Sequence, residues 1–178
     1  TANNIVLATG AHPKELEVIR PDGTRILTSR QALDLNQLPS SLAIVGGGAV
    51  GCEFAYLYNA YGVSVTIIEV LPHLLPNEDE DISRHLEQSF SKRGIQILTS
   101  TEIKESMVTD HEVVIKIASE AHDNHTLKFD QALVAVGIQG NVYGIGLENV
   151  SVQVENGFIE VSDEMATTVP GIYAIGDV

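Results

Sequence analysis

The stretch Ser41-Leu42-Ala43-Ile44-Val45-Gly46-Gly47-Gly48-Ala49-Val50-Gly51-Cys52-Glu53-Phe54-Ala55 decides the fold, because its glycines sit where a strand hands over to a helix. Leu42 to Val45 is an apolar run that predicts a short buried strand, closed by Gly46-Gly47-Gly48. From Ala49 to Tyr61 the apolar residues Val50, Phe54, Leu57, Tyr58 and Tyr61 recur at helical spacing, and Gly62 is a natural stop. Val63 to Ile68 is a β-branched strand ending on Glu69. A second helix is predicted from about Asp79 to Arg93, acidic in its first turn and basic in its last, with Ile82, Leu86 and Phe90 as its apolar stripe. Gly94 ends it, and Ile95 to Leu98 is a third strand. Strand, helix, strand, helix, strand with short links is a βαβαβ unit, hence a parallel sheet with right-handed crossovers.

Beyond that unit the period changes. Ile103 to Val108, Glu112 to Ala118 and Thr126 to Phe129 read as short antiparallel strands, with polar turns at Thr109-Asp110-His111 and over 121–124. Ala132 to Val136 is an unbroken apolar run, expected as a buried strand rejoining the parallel sheet. Alternation on either side of Asn156-Gly157 predicts a hairpin. The polar segment from Pro13 to Ser41 reads as a connector, with a turn at Pro21-Asp22-Gly23 and a short helix over Ser29 to Leu35. The fold class is therefore α/β: a doubly wound, Rossmann-like parallel sheet with an inserted antiparallel β-meander. Asn4 to Leu7 and Ile172 to Ile175 both read as core strands at the ends of the chain, which predicts an excised piece of a larger protein.

Composition narrows the function. The 178 residues carry 24 acidic and 10 basic side chains, a net charge of −14, which argues against nucleic acid or an anionic membrane as partner. The longest apolar run, Leu42 to Cys52, is broken by glycines and too short to span a bilayer. The single cysteine, Cys52, forms no disulfide within the chain and reads as a small buried hydrophobe. His122 and His125 fall in an expected hairpin loop with no third ligand nearby, so a solvated turn is expected there and no metal site. No triad or paired-carboxylate spacing stands out, and no catalytic residue is assigned.

Gly46-x-Gly48-x-x-Gly51 is the sharpest chemical feature. The first glycine permits the tight turn, the second lets a pyrophosphate approach the backbone, and the third permits close helix–sheet packing. An acid at the end of the next strand, Glu69, stands where ribose hydroxyls donate, and Val70-Leu71-Pro72 supplies no Arg for a 2′-phosphate. The pattern points to a dinucleotide, NAD before NADP. The plainer readings are a glycine-rich turn without a ligand, and for Glu69 a solvated strand-end acid. Glu53, on the first turn of the helix, reads on physical grounds as a complement to the helix dipole.

Taken together, Ala8-Thr9-Gly10-Ala11-His12-Pro13, the Ser41 to Ala55 stretch, Val134-Ala135-Val136-Gly137 and Val169-Pro170-Gly171-Ile172-Tyr173-Ala174-Ile175-Gly176-Asp177-Val178 resemble the flavoprotein disulfide reductases with two dinucleotide sites, the dihydrolipoamide dehydrogenases above all. The resemblance implies that residues 1–12 end a flavin-binding portion, 13–40 connect, 41–140 bind NAD and 141–178 return toward the flavin. It implies FAD contacts at Thr9, Gly10, Ala11 and Asp177. It implies NAD held by Gly46, Gly47, Gly48, Ala49, Val50, Gly51 and Cys52, with Glu53 near the nicotinamide, Glu69 on the adenosine ribose, and Ile103 and Gly137 lining the two ends. The reaction implied oxidises a dihydrolipoyl dithiol and passes hydride through FAD to NAD. The parent is then a cytoplasmic homodimer docking on a 2-oxo acid dehydrogenase complex. The redox cysteine pair and the C-terminal base of that family are absent from this chain, which is expected to be inactive alone. Where the family often has Arg-x-Pro-Asn after the Val-Gly block, this chain has Ile138-Gln139-Gly140-Asn141. An NADH oxidase or a mercuric or glutathione reductase shares the same machinery, and a non-catalytic nucleotide-binding module is the alternative of another class.

Overall fold

The computed structural model describes residues 2–119 and 125–178, which form two compact units. One unit runs from Glu15 to Gly137, and the other joins the first fourteen residues to Ile138–Val178. In chain order the elements begin with β1 (Ile5–Leu7), β2 (Ala11–Pro13), β3 (Ile26–Leu27), α1 (Ser29–Leu33) and β4 (Ser41–Val45). Next come α2 (Ala49–Ala60), β5 (Ser64–Ile68), α3 (Glu80–Lys92) and β6 (Gln96–Leu98). The meander follows as β7 (Glu102–Val108), β8 (Val113–Ala118) and β9 (His125–Phe129), and β10 (Gln131–Val134) returns to the sheet. The last strands are β11 (Ile138–Gly140), β12 (Val154–Glu155), β13 (Phe158–Ile159) and β14 (Ile172–Ala174).

The larger unit is built on a parallel sheet in the order β3-β10-β4-β5-β6. Its inner strands are buried on both faces, which is why they read as unbroken apolar runs. Leu42, Ile44, Val65, Ile67 and Leu133 pack with residues of the three helices. Their alternates Ala43, Val45, Ile68, Ala132 and Val134 pack with the meander. The expected α/β sheet with an inserted meander is thus present, the helices covering one face and β7-β8-β9 the other. Strand β8 turns Val113, Ile115 and Ile117 inward, each at most 1% exposed, onto the small Ala43 and Ala132. Each such side chain contributes about 1.5–3 kcal/mol by leaving water.

The segment read as a connector does more than connect. It supplies β3, an edge strand of the parallel sheet paired with β10, and α1, on which the buried Tyr58 hydroxyl donates to the Ala32 carbonyl at 2.7 Å. The expected turn is there: Asp22 Oδ1 accepts from the backbone N–H groups of Thr24, Arg25 and Ile26. Partial burial pushes the Asp22 carboxyl up, but those donors outweigh it and hold it below its ordinary value.

Both long helices keep part of their expected stripes, Phe54 and Tyr58 in α2 and Leu86 and Phe90 in α3, and depart from the rest. In α2 the buried residues are Gly51, Cys52, Phe54, Ala55 and Tyr58, while Val50, Leu57 and Tyr61 are exposed. The helix lies so close to the sheet that its small residues must face inward. In α3 the expected Leu86 and Phe90 do pack on the core, but Ile82 is 56% exposed and Ser83 takes its place on the buried side. Asp79 caps this helix by accepting the Asp81 N–H at 2.9 Å.

In the smaller unit β1 pairs parallel with β14, β2 antiparallel with β11, and β12 with β13. Asn156 and Gly157 both have positive φ, the conformation of a two-residue hairpin turn, as the sequence predicts. Val142, Leu147, Val152, Ile159, Ala174 and Val178 form its core. The two strands expected as core are only partly so: Ile5, Val6 and Ile175 are exposed, and Ala174 is the buried residue of β14. Gly140 explains the departure from Arg-x-Pro-Asn. Its N–H donates to the Gly157 carbonyl at 3.1 Å, and a Cβ would stand 2.6 Å from the Val178 oxygen, so proline fits neither requirement.

Two substitutions on α3 test which of its apolar residues the core holds. Phe90→Ala should lower the unfolding free energy in urea by about 3–5 kcal/mol, while Ile82→Lys should stay within about 0.5 kcal/mol of wild type. Acid sensitivity follows from Asp22. Because its folded-state carboxyl is held below its ordinary value of 3.8, its contribution is present above that pH and is lost as pH falls through the lowered value. Asp22→Asn should flatten that part of the stability-against-pH curve, measured by urea titrations below pH 5.

Candidate dinucleotide site

The site lies at the C-terminal ends of the parallel strands, where β4 is flanked by β10 on one side and β5 on the other. Register builds it. Val45 pairs with Ile68, so Gly46 and Glu69 leave the sheet side by side, and Gly46 N–H donates to the Ile68 carbonyl at 2.9 Å. On the other side Ala135 N–H donates to the Val45 carbonyl at 2.7 Å. Gly46 has φ +107, and a Cβ there would overlap the Ala135 oxygen, so both its conformation and its neighbour demand glycine. Gly51 packs directly on the Gly46 carbonyl with no room for a Cβ. This contact brings α2 down onto the strand.

Gly48 differs from its neighbours. It is the N-cap of α2 with ordinary φ, and nothing lies within 4 Å of where its Cβ would be. No side-chain hydrogen bond caps this helix, in contrast to α3. The first-turn N–H groups of α2, which have no intrahelical acceptor, therefore face an open cradle next to a glycine. That arrangement fits a phosphate or pyrophosphate: donors, a positive dipole end, and space for close backbone approach.

Glu69 is only 6% exposed, so it is no solvated strand-end acid. Its Oε2 accepts the Gly47 N–H at 2.5 Å and its Oε1 the Leu71 N–H at 2.7 Å. Charge-assisted bonds of this kind hold a carboxylate firmly in place. Thr101 N–H donates to the Glu69 carbonyl at 2.9 Å, which brings the start of β7 to the edge of the site. Cys52 is buried and donates its Sγ–H to the Gly47 carbonyl at 3.3 Å. Burial first, then the carboxylates of Glu69, Glu87 and Glu53, push its thiol up to about 12, so it stays protonated and acts as a packing and donor group.

The other expected site residues divide. Ala49 and Val50 form the exposed first turn of α2, and Glu53 is exposed one turn on. The Ile103 side chain is buried in the core between sheet and meander, which leaves only its backbone for a ligand. Gly137 is exposed at φ +112, just after β10. Thr9, Gly10, Ala11 and Asp177 all belong to the smaller unit. There Asn141 organises the Thr9-Gly10 turn: its Nδ2 donates to the Thr9 carbonyl at 2.8 Å, its N–H donates to the Gly10 carbonyl, and its own carbonyl accepts the Thr9 hydroxyl at 2.9 Å. Asp177 is exposed, next to Gly176. Sequence reasoning missed Leu71, Leu74, Leu75, Thr101 and Asn141, which act largely through backbone groups or a single amide and leave no mark in residue pattern.

Among the described residues no group of three His, Cys, Asp or Glu side chains could hold a metal; His122 lies outside them. No helix among the described residues is long and apolar enough to cross a membrane.

The family model for pyridine nucleotide-disulphide oxidoreductases matches residues 1–178. Dihydrolipoyl dehydrogenase from Chlorobaculum tepidum is 42% identical over 99% of this chain, and one from Bacillus subtilis 40% over 98%. The chain spans 38% and 37% of the length of these two relatives. Among solved structures, LpdA from Mycobacterium tuberculosis superposes with a TM-score of 0.88 at 38% identity, covering 99% of this chain and 38% of that one. The HOCl-induced flavoprotein disulfide reductase RclA from Escherichia coli, in its Cu(II) complex, gives 0.85 at 29% identity, covering 98% of this chain and 40% of its own.

The glycines should separate under substitution. Gly51→Ala must displace the Gly46 carbonyl and should cost about 1–3 kcal/mol or more in urea unfolding. Gly48→Ala, with open space and an ordinary φ, should cost no more than about 1 kcal/mol.

Proposed function

Since the chain belongs to the pyridine nucleotide-disulphide oxidoreductase family, we propose that it is the NAD-binding portion of a dihydrolipoyl dehydrogenase. The observation that carries this reading is the pairing of Glu69 with Gly47 beside an open glycine cradle and an uncapped helix. The cradle and the first-turn N–H groups of α2 take the pyrophosphate. Glu69, already fixed by two backbone donors, presents its remaining lone pairs to ribose hydroxyls. A 2′-phosphate would meet that carboxylate, with Val70-Leu71-Pro72 offering no cation to offset it. Glu53 is assigned to the nicotinamide end, and Ile103 and Gly137 line the pocket through backbone atoms.

In the smaller unit, Thr9, Gly10, Ala11 and Asp177 are assigned to FAD, with Asn141 holding the Thr9-Gly10 turn in shape. When bound, the two cofactors supply dithiol oxidation through the flavin and hydride acceptance by the nicotinamide. This chain's part is to bind, orient and select the nicotinamide dinucleotide. The cysteine pair and catalytic base are assigned to the longer protein, as are homodimer formation, docking on a 2-oxo acid dehydrogenase complex and a cytoplasmic location. The names of the Chlorobaculum and Bacillus relatives support the dihydrolipoyl dehydrogenase reading itself. The likeness to RclA favours a second reading, a flavoprotein disulfide reductase with a different thiol or oxidant partner.

Calorimetric titration with NADH and NADPH tests the cofactor assignment. NADH is expected to bind at least about tenfold tighter than NADPH, a difference of about 1.4 kcal/mol. Glu69→Ala and Gly48→Ala should each abolish saturable NADH binding. A preference for NADPH would overturn the role given to Glu69.

A further inference from the structure

Helix α3 contributes no residue to the site as assembled above, yet the segment between β5 and α3 ties it there. Leu75 N–H donates to the Gly47 carbonyl at 2.8 Å. The neighbouring Leu74 is fully buried, and its Cδ2 fills the space where a Gly47 Cβ would stand. Leu74 N–H in turn donates to Glu87 Oε1 at 2.9 Å, a carboxylate on the inward side of α3 between Ser83 and Phe90. Ser83 Oγ and Glu78 N–H both reach the Leu75 carbonyl. Leu75 itself has φ +50, a conformation that leucine rarely adopts and that persists only where surrounding bonds over-determine it. The Gly47 peptide is therefore gripped at both ends: its N–H by Glu69, its carbonyl by the Leu75 strap and the Cys52 thiol.

We propose that Glu87 is a positioning residue for the dinucleotide, holding the Gly47 peptide and the Glu69 carboxylate in binding geometry through the Leu74-Leu75 strap. The proposal rests on the NAD reading given above and deepens it. Two features single out Glu87. A half-buried carboxylate on the packed side of a helix needs a partner, and here the partner is the backbone N–H of Leu74, next to the Leu75 that holds Gly47. A charge-assisted bond is also the strongest of the contacts that fix the strap from the α3 side. Loosening it frees Leu74 and Leu75 together, and with them one end of the Gly47 peptide. The nicotinamide end is untouched, so the effect falls on binding and leaves turnover alone.

The test uses the full-length protein that carries this segment. NADH affinity, KM for NAD and kcat are measured for wild type, Glu69→Ala, Glu87→Ala, Glu87→Gln and the exposed control Gln88→Ala. Glu87→Ala is expected to raise the NADH Kd and the KM for NAD about tenfold, with kcat within about twofold of wild type. Glu87→Gln keeps an acceptor oxygen for the Leu74 N–H and should stay within about threefold of wild type, as should Gln88→Ala. A Glu87→Ala protein that binds NADH like wild type, while Glu69→Ala does not, overturns the positioning role and leaves the NAD reading standing. Equal losses in Glu87→Ala and Glu87→Gln overturn the strap, since charge alone would then account for both. A wild type that binds neither NADH nor NADPH overturns the cofactor reading and the proposal together. If Glu87→Ala does not fold, amide exchange of the wild type decides. NADH should slow exchange at Leu74 and Leu75, and unchanged rates there overturn the proposal.

Discussion

The contact between Gly51 and the Gly46 carbonyl is the constraint on which the rest of the larger unit depends. No side chain can enter it, so α2 settles onto β4 at a distance only two glycines allow. That approach turns Cys52, Ala55 and Tyr58 inward and leaves Val50, Leu57 and Tyr61 outside. It also points the first turn of α2 across the strand ends, with Gly48 open beside it. A wider helix–strand spacing would gain a conventional apolar interface and lose the cradle.

Around that contact the backbone fixes most of the geometry. Glu69 is fixed by the amides of Gly47 and Leu71, the Gly47 carbonyl by Leu75, and Leu74 by Glu87. Buried polar groups satisfied in series in this way are rigid, because removing one leaves its neighbour unpaired. The surface ion pairs, such as Lys116 with Glu105 on the meander, are exposed and contribute at most about 1 kcal/mol each. On the proposed reading, selection of a dinucleotide rests on a short run of peptide groups between β4 and α3, with the apolar core behind them as support.

The smaller unit is also organised by backbone and amide contacts. Asn141 bonds to Thr9 through both its side chain and its carbonyl, and a glycine at 140 gives the chain room to pass Val178 and Gly157. The exposed Ile5, Val6 and Ile175 form an apolar margin on β1 and next to β14.

By itself the sequence determined the βαβαβ order, the glycine turn, the acid one residue past β5, the meander and the Asn156-Gly157 hairpin. These are local matters: apolar period, glycine placement and turn chemistry act over a few residues and are written in them. Phe54, Tyr58, Leu86 and Phe90 face inward as their spacing predicts. The tertiary structure decided that Ser83 joins them while Ile82 stays outside. It also decided that Cys52 and Ala55 join them while Val50, Leu57 and Tyr61 stay outside, because the close approach at Gly51 favours small residues against the sheet. The edge strand β3 was invisible in a polar segment, since two residues gain strand character only from the neighbouring β10. The burial of Glu69 and its link to Glu87 through two leucine amides arose the same way. Backbone hydrogen bonds between distant segments depend on register and packing, and any residue with an N–H can make them.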